Sequence, residues 1–250
     1  MAHCLPLDRT SQTKRPEGAP SGSQRWTELL FVHFTFAPEL VRALVPKELE
    51  LDLWDDRAWV GVVPFKMEAV RPKWVPFGMD FLETNVRTYV HYKGEPGVYF
   101  FSLEASSWLA VKAARSGWGL PYFHADMSTR REGDRVHYTS KRKGAEPKVE
   151  TSVEYSLGEL LGPSKEGTLE HFLLERYLLF TANDGHVSRG HVHHVPYPAQ
   201  RATLHAWKDD LAVAAGLPRS DAAPASVLYA SGVQVQVFGP DPLADDAKRV

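Results

Sequence analysis

Cysteine is nearly absent: the chain has one, Cys4, in 250 residues. A single thiol excludes an intramolecular disulfide framework and any cysteine-based zinc cluster, and it fits a reducing cytoplasm. Long apolar runs are missing too. Nowhere do about 18 apolar residues follow one another, as a membrane-spanning helix requires, and the N-terminal MAHCLPLDRTSQTKRPEGAPSGSQ lacks the apolar core of a signal peptide. The expectation is a cytoplasmic protein with no membrane partner. Charge of one sign is not in excess, since Lys plus Arg number 29 against 31 Asp plus Glu, and no basic block stands out. Electrostatic capture of nucleic acid is therefore not expected. There is no glycine-rich phosphate loop after a strand and no dinucleotide fingerprint, so no cofactor is expected. Ser102, Ser106 and Ser107 lie outside any G-x-S-x-G setting, which removes support for a serine nucleophile. What remains is a small-molecule ligand or a protein surface.

What the chain does have is a hydrophobic content of 43%, enough for a sizeable core. Residues 1–24 are polar and rich in Pro, Gly and Ser and read as a flexible arm; residues 25–239 read as one domain, and 240–250 as a flexible tail. WTELLFVHFTF, AWVGVVPF and GVYFFSL read as strands buried on both faces, and LELDLW alternates as the hairpin partner of AWVGVVPF. YFHADMSTR, DRVHYTSKRK and KVETSVEYSL suggest an antiparallel meander, followed by HVSRGHVHHV, RATLHAWK and SVLYASGVQVQVF. APELVRALVP, ASSWLAVKAARSGWG (capped by Ser106) and DDLAVAAG read as short helices, and GTLEHFLLERYLLFT as the longest one, capped by Thr168. RPKWVPFG suits an ordered loop folded over apolar surface, and the seven tryptophans suit core packing. Many short strands with few helices argue for an α+β domain built on a large, curled, mainly antiparallel sheet.

FLETNVRTYVHY sets Glu83, Asn85, Arg87, Tyr89 and His91 on one face of a strand and Leu82, Thr84, Val86, Thr88 and Val90 on the other. Its neighbour GVYFFSL is apolar on both sides, so both strands should have protein on each face. Joined through Lys93 to Pro96, the pair would set Arg87 beside Ser102 and Asn85 beside Glu104. Buried charges need partners, so Glu83 and Arg87 should satisfy each other or a polar ligand. A structural ion pair or a solvated face explains the alternation equally well.

Other constellations have plain explanations beside the chemical ones. His191 and His193 in HVHH share a strand face and are weak metal candidates; a third ligand would have to be recruited from His33, His124 or Glu83, and histidines bonded within a wall account for them without metal. Tyr122 and His124 share a face after Gly119-Leu120-Pro121 and could act as acid or base, although packing explains the same row. Lys112 and Arg115 belong to the preceding helix, where a solvated face is expected.

WTELLFVHF, LVPKELELD, AWVGVVPF, ETNVRTYV with GVYFFSLEA, AARSGWGLPYFHADM, LERY and HHVPYP together resemble the YqjF-like family of uncharacterised bacterial proteins, over about Arg25 to Phe238. That family is a distant relative of acetoacetate decarboxylase. The resemblance implies a cone- or barrel-like antiparallel sheet with flanking helices around a small-molecule cavity, often in a homo-oligomer. In the decarboxylase a Gly-x-Pro motif precedes a pair of lysines, the first of which forms a Schiff base with the keto acid. Here Tyr122 and Phe123 follow Pro121, so decarboxylation of acetoacetate by that route is not expected. The function expected is binding or conversion of a small oxo- or hydroxy-acid-like molecule: Arg87, Asn85 and Ser102 contact it, while Glu83, Tyr122 and His124 are the catalytic candidates. A non-catalytic ligand sensor or structural module is the first alternative, and a metal-dependent hydrolase using HVHH the second.

Overall fold

A computed structural model describes residues 7–243 except 184 and 221. Twelve strands follow in chain order: β1 Gly22–Phe36, β2 Glu50–Leu51, β3 Ala58–Pro72, β4 Met79–Tyr92, β5 Glu95–Ala105, β6 Tyr122–Glu132, β7 Arg135–Arg142, β8 Glu150–Gly162, β9 Leu178–Asn183, β10 His186–His193, β11 Ala199–Asp209 and β12 Ser226–Pro242. Four short helices, α1 Pro38–Arg42, α2 Trp108–Trp118, α3 Leu169–Leu174 and α4 Leu211–Ala214, sit between them. The cap of α2 is Ser107, one residue later than expected, with its hydroxyl accepting from Ala110 N. Ser106 is used elsewhere, its hydroxyl accepting from Leu82 N at the start of β4. Gly119 closes α2 at φ 62°, a left-handed conformation that a side chain would oppose.

All strands join one mixed sheet that closes on itself. Followed through its hydrogen bonds, β4-β5-β9-β10-β12-β1-β3 returns to β4, and so does β4-β5-β6-β7-β8-β11-β12-β1-β3. The two rings share β12, β1, β3, β4 and β5. Pairings are antiparallel except β5 with β6 and β5 with β9. Ring closure through shared strands explains why these sequences are apolar on both sides: each face of β4 enters a different core. Tyr89 joins Phe31, Val98, Leu103, Phe172 and Leu173 on one side, while Val86 and Val90 join Val62, Tyr138, Val153 and Tyr155 on the other.

Several expectations are corrected. The fifteen-residue helix from Gly167 is only α3; the chain leaves helical geometry at Glu175 (φ −85°, ψ 81°), and YLLFT becomes β9, whose pairing with β5 and β10 outweighs its helical spacing. LELDLW contributes only β2, and it pairs with β4 rather than β3. Trp74 and Phe77 are 85% and 79% exposed, so the loop between β3 and β4 is not folded over apolar surface as expected. Trp108 is also exposed. The described part of the arm is held: Asp8 N donates to Gly94 O, Ser21 N to Val237 O, and Gln12 is buried. β12 likewise runs past residue 240 to Pro242. The remaining arm and tail positions, 1–6 and 244–250, lie outside the described residues.

Candidate functional site

The polar face of β4 is buried throughout. Glu83 is 3% exposed, and its Oε2 accepts a 2.6 Å hydrogen bond from the Tyr122 hydroxyl. Burial pushes this carboxyl up from 4.5 to about 7, outweighing the hydrogen bonds of Tyr122 and Asn85 that favour the ionised form. Burial and the neighbouring carboxylate hold the Tyr122 phenol well above its ordinary value, so Tyr122 serves as the donor. Below the backbone, Tyr138 donates to Glu83 O at 2.8 Å and accepts from the Thr84 hydroxyl at 3.0 Å, which fixes the strand at this point. A carboxyl that titrates near neutrality can both take and give a proton.

Arg87 follows on the same face, 7% exposed. Its Nη2 donates to Leu173 O at 3.1 Å, and its guanidinium lies over the rings of Phe31 and Tyr89, with centroids 5.4 and 5.8 Å away. Nε has no partner, and among the described residues no carboxylate pairs with this cation. The expected Glu83–Arg87 pair is absent for a simple reason. Positions four apart on one face of a strand are separated by about 13 Å of backbone. Beside Arg87, the Tyr89 hydroxyl donates to Leu173 O at 2.9 Å and meets His33 Nε2 at 2.7 Å. His33 is fully buried, and burial, then the nearby guanidinium, hold it well below 6.5 and hence neutral.

The other expected residues are distributed differently. β4 and β5 pair out of the anticipated register, by one residue where Thr84 opposes Glu104 and Val86 opposes Ser102, and by two beyond a bulge, where Arg87 opposes Phe100. Ser102 consequently faces the second core, where its hydroxyl reaches Glu104 at 3.4 Å. Glu104 is fully buried and held by both Nε and Nη2 of Arg142. Asn85 is buried on the Glu83 face with its Oδ1 unpartnered. His124 is half-buried two residues past Tyr122, and among the described residues no hydrogen bond joins its ring to Glu83 or Arg87. His191 and His193 lie in β10, and among the described residues no group of three or more His, Cys, Asp or Glu side chains converges on a metal position. Arg115, expected in solvent, donates to Tyr122 O at 2.6 Å.

Sequence reasoning passed over Asp52 and Arg176, and it named His33 only as a possible metal ligand and Glu104 only as the neighbour of Asn85. His33, Asp52 and Glu104 each stand between two apolar residues, and that interruption is the signal that could have exposed them; Arg176 follows Glu175 and carries no such signal. A concavity of about 450 Å³ lined by Ser128, Arg130, His137 and Glu154 among others lies on the outer face of β6, β7 and β8, and another of about 220 Å³ lies beside Trp207 and Arg219; neither includes Glu83 or Arg87.

The closed mixed sheet has the acetoacetate decarboxylase-like fold. Acetoacetate decarboxylase from Legionella pneumophila superposes with a TM-score of 0.60 at 16% identity, covering 98% of both chains. The enduracididine biosynthesis enzyme MppR in complex with pyruvate gives 0.59 at 13% identity, again over 98% of both chains. An acetoacetate decarboxylase-like enzyme from Sphingomonas wittichii gives 0.58 at 13% identity, over 90% of this chain and 94% of that one. Sequence similarity makes the assignment narrower: residues 23–234 match the DUF2071 family, described as "uncharacterized conserved protein", and the chain belongs to it. Within that family, the uncharacterized protein YqjF of Bacillus subtilis is 37% identical over 213 residues, covering 82% of this chain and 87% of the relative. Among the described residues no helix is long and apolar enough to cross a membrane.

Proposed function

We propose that this protein binds a small anionic oxo or hydroxy acid inside the sheet, with Arg87 as the anion-binding group and Glu83, donated to by Tyr122, as the group that moves a proton on the bound molecule. One observation carries the reading: a buried guanidinium that no carboxylate among the described residues pairs, with Nε unpartnered and one carbonyl bond. An uncompensated buried cation is costly, and its planar fork is matched to a carboxylate through two parallel hydrogen bonds. Asn85, with an open acceptor, lies between the two on the same face and would orient the ligand. The position that follows Gly119-Leu120-Pro121 supplies a phenol rather than an amine, so the chemistry proposed is proton transfer without an imine. MppR was solved with pyruvate, an oxo acid of the class proposed here.

Calorimetric titration and thermal shift with pyruvate, 2-oxobutyrate, lactate and 2-hydroxybutyrate test this on wild type, Arg87→Ala and Arg87→Lys. The expected result is binding by wild type, loss of about tenfold or more in affinity for Arg87→Ala, and partial retention by Arg87→Lys. Equal responses in wild type and Arg87→Ala contradict the assignment. One observation favours a second reading, the non-catalytic structural module: Arg87 and Tyr89 both hold Leu173 O at the end of α3. That reading predicts a lower melting temperature for Arg87→Ala with no ligand response in any of the proteins.

A further inference from the structure

Arg87 is not the only buried guanidinium at this end of the sheet. Arg176, in the turn between α3 and β9, is 5% exposed, and its guanidinium lies 4.9 Å from the same Tyr89 ring that Arg87 flanks. The two side chains also hold consecutive carbonyls at the end of α3: Arg176 Nε donates to Phe172 O at 2.8 Å, and Arg87 Nη2 to Leu173 O. Arg176 Nη1 bonds Asp52 Oδ2 at 2.6 Å, while its Nη2 is buried without a partner.

Charge does not balance here. Asp52 is the one carboxylate paired with Arg176, and it is shared: both of its oxygens also accept from Arg9, at 2.8 and 2.9 Å. Glu175, next in the chain, is occupied by the Tyr177 hydroxyl and Tyr197 N rather than by a guanidinium. Among the described residues, three arginines therefore gather around Tyr89 and Phe172 with a single paired carboxylate, and two of the three present an unused buried N–H. Fixed donors with no acceptor inside a desolvated space are the ordinary way a protein recognises anionic groups.

We infer that the ligand of this site is a dianion, one anionic group on Arg87 and a second on the free edge of Arg176, so that the substrate class is a short oxo or hydroxy acid with a second acidic terminus. The inference rests on the Arg87 reading above and narrows it. Asp52 and Arg9 act as positioning residues: Asp52 neutralises one edge of the Arg176 guanidinium and turns the other edge inward, and Arg9 shields Asp52 from the solvent side, where its own side chain is 23% exposed.

Matched ligands that differ only in the second acidic group test it by calorimetry on the full chain: 2-oxovalerate against 2-oxoglutarate, 2-hydroxybutyrate against malate, and glycerate against 3-phosphoglycerate. The expected result is that at least one dianion binds wild type about tenfold or more tightly than its monoanionic match, and that Arg176→Gln abolishes this preference while the monoanion still binds. The first two pairs report a carboxylate as the second group and the third a phosphate. Arg176→Lys, which keeps the charge opposite Asp52, serves if the glutamine variant does not fold; it is expected to reduce the preference without removing it. Equal binding within every pair overturns the dianion and leaves the Arg87 reading standing. A preference that survives in both Arg176 variants overturns the role of Arg176, whereas no binding by any member removes the Arg87 reading and this inference with it.

Discussion

A carboxyl held near 7 inside a protein leaves a signature in stability as well as in chemistry. Glu83 in the folded state keeps a proton that the unfolded chain, at its ordinary 4.5, releases. Its contribution is thus complete below about pH 4.5 and is lost as pH rises through about 7, at up to about 1.4 kcal/mol per pH unit for one proton. Glu104, raised to about 7 by burial against the pull of Arg142, adds to the same slope. Melting temperatures of Glu83→Gln between pH 4.5 and 8 should fall less steeply than those of wild type, with the Glu104 part remaining; an unchanged slope would show that Glu83 is ionised throughout. Removing the Tyr122 donor withdraws a bond that favours the charged form, so Tyr122→Phe should move the Glu83 titration, followed by carboxyl carbon NMR, to still higher pH. At this scale the sequence was informative in an uneven way. The alternation in ETNVRTYVHY did mark a buried polar face, but it suggested a Glu83–Arg87 pair that strand geometry forbids. The true partners, Tyr122 and the Leu173 carbonyl, come from distant elements and cannot be read from local spacing.

Between elements, two strands come close together where the first ring closes. Gly97 in β5 sits against β9, and a Cβ there would come within 2.6 Å of Leu178 O and 2.7 Å of Phe180 Cε2. Gly97→Ala should therefore cost about 1–3 kcal/mol, seen as a lower midpoint in denaturant unfolding. A wild-type midpoint would mean that β9 yields easily and that closure is loose. Long-range strand pairing and a local bulge account for two misreadings from the sequence. YLLFT carries a good helical stripe, and only its long-range pairing with β5 and β10 makes it a strand. The bulge at Phe101 shifts the β4–β5 register by one residue and sends Ser102 to the other face, a local irregularity that no alternation pattern reveals. By contrast, the strands β1, β3, β5 and β12 were legible because apolar runs act locally.

For the molecule as a whole, two rings that share five strands are expected to come apart together, since opening either one strips one face of strands such as β4 whose other face lines the remaining core. Calorimetry should show one transition whose van't Hoff and measured enthalpies agree; two resolved transitions would mean that the β6–β8 meander folds separately. The architecture itself was legible through the motifs shared with the YqjF-like family, more than through the patterns of single strands, because closure depends on pairings as distant as β10 with β12 and β1 with β3 that only the complete chain specifies. What the fold creates inside this arrangement is a buried cation that pairs with no carboxylate among the described residues. The most direct test is a crystal structure of the protein saturated with the oxo acid that binds it most tightly. A ligand carboxylate within about 3 Å of Arg87 Nε and a terminal guanidinium nitrogen is the result the account predicts. An Arg87 still bonded to Leu173 O alone, with ligand bound elsewhere or nowhere, would contradict it.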